Sequence, residues 1–230
     1  MKTIRTLEKT FAVLLAIIML VLIFIPSRTA ATEDYYHFNI CPGTEEWNKL
    51  TTTEEMVAAS QVPEKNLSEM STEAIVKTII KNPFLTGFFL ADCYDIIKTN
   101  IKLFNAYAEL FSRADRLEAL LSVYSKEPVL SSEDLNSDSM EFFNNTYLEV
   151  LIAYTIYDGM TTDETSDSAW MINKPIIFKL ADEKQAERDK YPDVYTRYSN
   201  GFYLFFEGIP EDALNIFRQS PMGETLELTR

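Results

Sequence analysis

Helix start and stop signals recur at short intervals between residues 52 and 83, and they constrain the fold more than any other feature of the chain. Thr52 with Glu55 fits a capping box, and Ser71 precedes a stripe of apolar residues spaced by three and four. Pro63 and Pro83 each follow such a segment and cannot continue it. The pattern predicts short, closely packed helices joined by tight corners.

The same helical spacing of apolar residues continues beyond this region. Only 6 glycines occur, too few for the turns of a many-stranded sheet. We therefore predict an all-α fold, either an irregular helical bundle or a short α-superhelix, with about 8–9 helices. The predicted segments after residue 84 are a long helix from Leu85 to Phe111, a helix capped at Ser112 and ended by Glu127-Pro128, a long helix at 140–158 ending near Gly159, a polar loop at 160–172, a helix from Pro175 to Lys190, a helix at 193–207 and a short helix from Pro210.

An apolar run near the N-terminus predicts where the chain works. Phe11–Ile25 has no charged or amide side chain, follows three basic residues and leads to the small-residue stretch Thr29–Ala31. This pattern is typical of an export signal, and the run is shorter than the roughly 17 apolar residues that a membrane-spanning helix needs. We interpret residues 1–31 as either a cleaved signal peptide or an uncleaved N-terminal membrane anchor. Contact with the membrane is expected only through residues 10–27, if the signal is uncleaved.

The rest of the chain reads as one domain with short extensions. The first extension has no sustained periodicity and contains a Cys-Pro-Gly turn signal, so we expect it to dock on the domain through Tyr35, Tyr36 or Trp47. The predicted parts are an extended lead-in at 32–50, a single helical domain at 51–220 with a subdivision near 128–138 left open, and a frayed tail at 221–230.

The strong negative charge of the chain limits its partners. The formal net charge is −14, and removal of residues 1–31, which hold four basic residues and one acidic residue, makes it −17. Such a surface repels nucleic-acid phosphates and anionic lipid head groups, so we expect no nucleic-acid partner. The partner is expected to be an unidentified envelope or extracellular protein or polymer, and divalent cations or basic peptides remain compatible with the charge.

The few cysteine and histidine residues exclude several kinds of chemistry. Cys41 and Cys93 are the only cysteines, so they form either one disulfide or two free thiols. The single histidine, His37, lies in the lead-in, where no rigid element would position a nucleophile beside it. One histidine and two distant cysteines do not make a recognised zinc ligand set. We predict no catalytic, cofactor-binding or metal-binding residue, and no cofactor.

Carboxylates are the plentiful reactive groups, and they supply the alternative function. A pair of acids in a cleft would make the chain a hydrolase of extracellular polysaccharide, although any chain with 35 acidic residues brings some pair to a suitable distance. Asp158, Asp163, Glu164 and Asp167 are crowded but lack the alternating order of a calcium loop, so we interpret them as solvated. The aromatic stretch from Tyr191 to Phe206 has helical spacing, which favours a core face over a ligand-binding surface.

Two stretches of the sequence carry a family resemblance. They are CPGTEEWNKLTTTEEMVAASQVPEKNLSEMSTEAIVKTIIKNP, which begins at Cys41, and LFSRADRLEALL, which ends at Leu121. Over about residues 41–124 the chain resembles an uncharacterised family of exported helical proteins of Gram-positive bacteria, the Firmicutes. The resemblance implies a Gram-positive source and an exported helical domain, and it supplies no catalytic residues.

These observations together predict an extracytoplasmic protein, either secreted or anchored to the cytoplasmic membrane. We expect a non-enzymatic binding module of the bacterial cell envelope, with the carboxylate-based hydrolase as the alternative. Geometry distinguishes the two, because a hydrolase of this kind needs two carboxyl groups that face each other across a concave pocket.

Overall fold

The computed structural model describes residues 35–85, 93–131, 133–134, 140–162, 166–195 and 200–202, all within one compact unit, Glu33–Arg230. Within these residues the chain forms helices and no strand, so the predicted all-α fold is confirmed and takes the form of a helical bundle. The described helices are α1 (Thr53–Ala59), α2 (Glu64–Glu69), α3 (Thr72–Ile80), α4 (Cys93–Leu103), α5 (Asn105–Ser112), α6 (Arg116–Lys126), α7 (Asn144–Thr162) and α8 (Ser166–Arg188), with short 3-10 turns at Trp47–Lys49 and Met140–Phe143.

Helices α1 and α3 begin where the sequence predicts. Thr52 Oγ1 accepts a hydrogen bond from the Glu55 N–H, and Glu55 Oε2 accepts one from the Thr52 N–H, each at 3.2 Å, so the predicted capping box forms. At the start of α3, Ser71 Oγ accepts from the Ala74 N–H, also at 3.2 Å. These side chains satisfy N–H groups that have no partner within the helix.

The lead-in docks on α3. The Tyr36 N–H donates to Thr78 Oγ1 at 2.8 Å, and the rings of Tyr36 and Phe38 pack against the core. Gly43 has a φ of +93°, which a residue with a side chain rarely adopts, in a turn closed by the bond from the Thr44 N–H to the Cys41 carbonyl. The predicted docking through Tyr36 and the predicted Cys-Pro-Gly turn are therefore confirmed.

Helix α7 is the centre of the bundle and packs against α3, α4, α6 and α8. Every residue from Asn144 to Tyr157 is buried, including the charged Glu149. A helix that is apolar on all sides is enclosed by its neighbours, and the sequence of α7 between Tyr147 and Tyr157 meets that condition except at Glu149 and Thr155, of which Glu149 alone is charged. The surrounding helices therefore dictate what that one carboxylate contacts.

The predicted continuous helix from Leu85 to Phe111 is wrong, because the chain breaks at Phe104. This residue is 1% exposed and has an extended backbone between α4 and α5. The neighbouring Asn105 side chain accepts from the Val62 N–H at 3.0 Å and donates to the Val62 carbonyl at 2.6 Å. This long-range pair of bonds and the burial of the Phe104 ring outweigh the local periodicity that favours one helix.

The helix boundaries that follow also differ from the prediction. Ser112 does not cap α6, because its hydroxyl donates to the Glu109 carbonyl at 2.7 Å and α6 begins only at Arg116. Helix α7 continues through Gly159, and α8 begins at Ser166, so most of the predicted polar loop at 160–172 is helical.

Pro175 lies inside α8 and does not open a helix as predicted. An interior proline costs a helix about 3 kcal/mol. Packing of α8 against the core offsets this cost, since Ile177 is buried and Phe178 and Leu180 pack against the core cluster.

Several predictions concern residues outside the described part of the chain. They are the export signal at residues 1–31, the helix from Pro210, the tail at 221–230 and most of the helix at 193–207, of which the described residues 193–195 are not helical. Among the helices that the structure does describe, none combines the length and the apolar content needed to cross a bilayer. The signal or anchor at residues 1–31 stays a prediction.

Candidate functional site

A cleft of about 580 Å³ opens between α6 and α8. Its apolar lining includes the buried Leu121, the half-buried Leu117 and Leu180, and Ile176, which is 50% exposed. Polar residues complete the lining, namely Asp115, Glu118, Ser122, Ser125 and Asn173. An apolar surface edged by a few polar groups is the usual composition of a binding cleft.

The charged side chains in the described part of the lining, Asp115 and Glu118, are acidic. Asp115 Oδ1 accepts a hydrogen bond from Thr72 Oγ1 at 2.8 Å, and Glu118 is exposed on the first turn of α6. The basic residues of α6 pair with acids outside the lining, Lys126 with Glu73 at 3.3 Å and Arg116 with Asp158 at 3.5 Å. Neither base of α6 therefore pairs with the two carboxylates of the lining.

Lys184 of α8 contacts the end of α6 and is not one of the residues that line the cleft. Its Nζ donates to the backbone carbonyl of Glu127 and lies 5.5 Å from the centroid of the Tyr124 ring. A cation at this position interacts favourably with the last carbonyls of a helix. Burial lowers the pKa of the Lys184 ammonium, and the charge of Glu127 opposes that effect. The two carboxylates of the lining thus lie toward the opposite end of the cleft from this lysine.

Beyond Lys184, along the same face of α8, lies a buried ion pair. Arg188 Nη1 is 2.9 Å from Glu149 Oε1, and the two side chains are 2% and 1% exposed. Glu149 Oε1 also accepts from the Tyr124 hydroxyl at 2.5 Å, and Oε2 accepts from the Gly201 N–H at 2.6 Å. The pair therefore connects α6, α7, α8 and the segment at 200–202.

The carboxylate of this pair accepts two hydrogen bonds, whereas the guanidinium donates none with favourable geometry. No nitrogen of Arg188 has a hydrogen-bond partner with favourable geometry, although Nη1 lies within ion-pair distance of Glu149. The Arg188 guanidinium also lies 5.9 Å from the centroid of the Tyr195 ring. The attraction that holds Arg188 is therefore mainly Coulombic, and removal of either charge would leave the other buried without compensation.

The described residues do not assemble the pair of carboxyl groups that the hydrolase alternative requires. Of the carboxylates in this part of the chain, Glu149 alone is buried, and its two oxygens are occupied by Arg188, Tyr124 and Gly201. The two carboxylates of the cleft are both exposed. They both belong to the α6 wall and do not face each other across the cleft, which is the arrangement that glycoside hydrolysis would require.

The two cysteines and the single histidine are not among the residues that line the cleft. Cys41 is a half-buried free thiol in the structure. Cys93 is the first residue of α4, and its side chain lies outside the described part; the free Cys41 thiol agrees with the alternative of two free thiols and not with the disulfide. His37 is exposed, and its ring packs on Tyr35 with 4.2 Å between the centroids.

The acidic and aromatic clusters of the sequence are described only in part. Asp158 lies 3.5 Å from Arg116, whereas Asp163, Glu164 and the Asp167 side chain are outside the described part. Tyr195 is 9% exposed and Phe202 packs against the core, as the core interpretation of the aromatic stretch predicts. Its members Tyr198, Tyr203, Phe205 and Phe206 lie outside the described residues.

The residues that form the cleft and the ion pair are not among those that the sequence predicts to be functional. Glu149 carries a visible signal, because it is the one charged residue between Tyr147 and Tyr157, and a lone acid in an apolar helix must find a partner. Arg188 carries no such signal, since it lies in the polar stretch Glu187–Lys190. The cleft depends on where α6 and α8 lie in space, which periodicity alone does not give.

Buried tyrosines make the stability of the protein fall at alkaline pH. Burial raises the pKa of Tyr107 and of Tyr124 above the ordinary value, and the carboxylate of Glu149 raises that of Tyr124 further. Both hydroxyls therefore stay protonated in the folded state while they ionise above about pH 10 in the unfolded state. We expect the free energy of unfolding to be constant with respect to these groups below about pH 10 and to fall above it, by about 1.4 kcal/mol per pH unit for each tyrosine.

Urea denaturation at a series of pH values above about pH 10 measures this dependence. Tyr124→Phe removes one ionisable group. Its free energy of unfolding should therefore fall less steeply with pH than that of the unmodified chain, by about 1.4 kcal/mol per pH unit. Lys184 does not obscure the comparison, because its own deprotonation contributes equally to the slopes of the unmodified chain and of Tyr124→Phe. An unchanged slope in Tyr124→Phe would contradict the assignment.

The described helices and the cleft define an all-α protein with an acidic, apolar-lined surface site. Comparison of the chain with models of protein families, with curated proteins and with solved structures finds no match in any of the three. The resemblance of residues 41–124 to an exported Gram-positive family accordingly stays a prediction.

Proposed function

We propose that this chain is an exported or membrane-tethered helical protein that acts by binding a protein or polymer of the bacterial cell envelope. The apolar run at residues 11–25 supports export, and the cleft between α6 and α8 supports binding. The protein performs no catalysis in this proposal, and its partner occupies the cleft.

The exposure of Ile176 is the observation that carries the proposal. Ile176 is 50% exposed at the edge of an apolar cleft. Removal of this apolar surface from water by a partner would be favourable. The neighbouring Leu117 and Leu180 extend the same surface, so a partner would gain contact with several apolar side chains at once.

Photo-crosslinking in the native host tests the proposal. A benzophenone-bearing phenylalanine analogue replaces Ile176 or Ser125, two residues of the cleft lining, or Glu69, an exposed residue at the end of α2 that is not part of the lining. Intact cells are irradiated, and the adducts are recovered from the medium, the membrane and the cytosol. We expect the same adduct from both cleft positions, none from position 69, and recovery from the membrane or the medium.

Two outcomes would contradict the proposal. Equal adducts from position 69 and from the cleft positions would mean that the cleft has no special role in binding. Full-length chain confined to the cytosol would refute export, whereas mass spectrometry of a product that begins at Thr32 would support the cleaved form.

A further inference from the structure

We infer that the cleft between α6 and α8 takes an amphipathic helix of a partner protein, with lysine or arginine residues at one end of its apolar face. This inference rests on the proposed function, since it names the chemistry of the partner that occupies the same cleft. The charge of the lining, the apolar surface and the length of the α6 wall each support it.

Charge complementarity selects a basic partner. Among the residues that the structure describes, the lining contains Asp115 and Glu118 and no basic side chain, and the bases of α6 pair with acids elsewhere. The chain as a whole carries a net charge of −14, which draws cations and repels anions before contact is made. An acidic or phosphorylated partner would meet like charges at the cleft.

The position of these carboxylates predicts which end of the cleft the basic residues of the bound helix occupy. Asp115 precedes α6 and Glu118 lies in its first turn, whereas Lys184 contacts the other end of α6 through the Glu127 carbonyl. The basic residues of the partner should therefore lie near the start of α6, over Asp115 and Glu118. Its apolar residues should lie over Leu117, Leu121 and Ile176.

The α6 wall of the cleft, from Ala114 to Ser125, is about three helical turns long. Helix α6 has 11 residues, a length of about 16 Å at 1.5 Å per residue. A partner helix in such a groove buries apolar side chains spaced by three, four and seven residues. An extended peptide would gain less here, because the walls of the cleft are helices and offer no sheet edge for its backbone to pair with.

Binding of synthetic peptides to the full chain tests the inference. Two peptides of about 14 residues share one apolar face, and one has lysine where the other has glutamate on the flanking positions. Fluorescence anisotropy measures their affinity for the unmodified chain, for Ile176→Glu, for Glu118→Lys and for Glu69→Lys. The last variant makes the same charge change as Glu118→Lys on an exposed residue outside the lining.

We expect the basic peptide to bind at least about tenfold more tightly than the acidic one at low salt, with a preference that shrinks as salt is added. Ile176→Glu should weaken the basic peptide by about tenfold or more, and Glu118→Lys should weaken it by about fivefold. Glu69→Lys should leave the affinity unchanged. Ile176 is half exposed, so its replacement does not disturb the folded core.

The other outcomes separate the inference from the proposed function. Equal affinity for the two peptides, with both weakened by Ile176→Glu, would overturn the basic partner and leave the cleft as a binding site. If Ile176→Glu and Glu118→Lys both leave the affinity for the basic peptide unchanged, the cleft is not where the peptide binds. If neither peptide binds, the inference of a helical basic partner is overturned, while the crosslinking result still decides the proposed function.

Discussion

Arg188→Met is expected to lower the free energy of unfolding by about 3–5 kcal/mol, because it leaves the buried Glu149 carboxylate without its counter-charge. Both side chains are almost fully buried, so water does not replace the lost interaction. The hydrogen bonds from the Tyr124 hydroxyl and the Gly201 N–H remain, but they do not neutralise the carboxylate. Urea denaturation followed by the helical circular dichroism signal measures the change.

The double variant Glu149→Leu with Arg188→Met separates the charge from the packing. Replacement of a buried ion pair by apolar side chains of similar size is often neutral, so the double variant should be more stable than Arg188→Met alone. Lys190→Met provides a matched control, because Lys190 pairs with Glu187 on the surface, where the two side chains are 57% and 52% exposed. That control should cost less than about 1 kcal/mol. An equal loss from Arg188→Met and Lys190→Met would contradict a structural role for the buried pair.

The fold class and several helix starts could be predicted because they depend on neighbouring residues. The Thr52 capping box and the Ser71 cap each involve residues three positions apart, and both form as predicted. The buried stripe of α3 follows from the spacing of Ile75, Val76 and Ile79. Local patterns of this kind determine local structure with little help from the rest of the chain.

The errors occur where distant residues decide the structure. The break at Phe104 depends on the bonds between Asn105 and Val62, which are 43 positions apart in sequence. The helix that continues through Gly159 and the one that contains Pro175 depend on packing in the bundle. Local propensity disfavours both, by about 1 kcal/mol for the glycine and about 3 kcal/mol for the proline, and tertiary contacts offset these costs.

The cleft and the ion pair are non-local in the same sense. Glu149 and Arg188 come from two helices, and their contact follows from the way α8 lies against α7. The cleft exists because α6 and α8 are both anchored to the bundle while the side chains between them leave space. A sequence pattern predicts which face of each helix is apolar, but the gap between two helices is a property of the assembled bundle.

Gly201→Ala is expected to lower the free energy of unfolding by about 3 kcal/mol. A Cβ atom at this position would lie 1.9 Å from the Thr146 carbonyl oxygen and 2.8 Å from the Glu149 Cβ. The first of these atoms belongs to the backbone of α7, which is buried on all sides here and cannot move without a shift of the core. Any displacement of Gly201 would also lengthen its 2.6 Å hydrogen bond to Glu149 Oε2.

Gly43→Ala is the matched control for this substitution, because the two glycines are needed for different reasons. Gly43 has a φ of +93°, and no atom lies within 4 Å of the place that a Cβ would take, so alanine there meets backbone strain and no clash. Strain of that kind costs about 1 kcal/mol. We therefore expect Gly201→Ala to be the more destabilising of the two in the same denaturation experiment. If the two losses are equal, the segment at 200–202 does not lie closely against α7, and the Gly201 N–H does not contribute to holding Glu149.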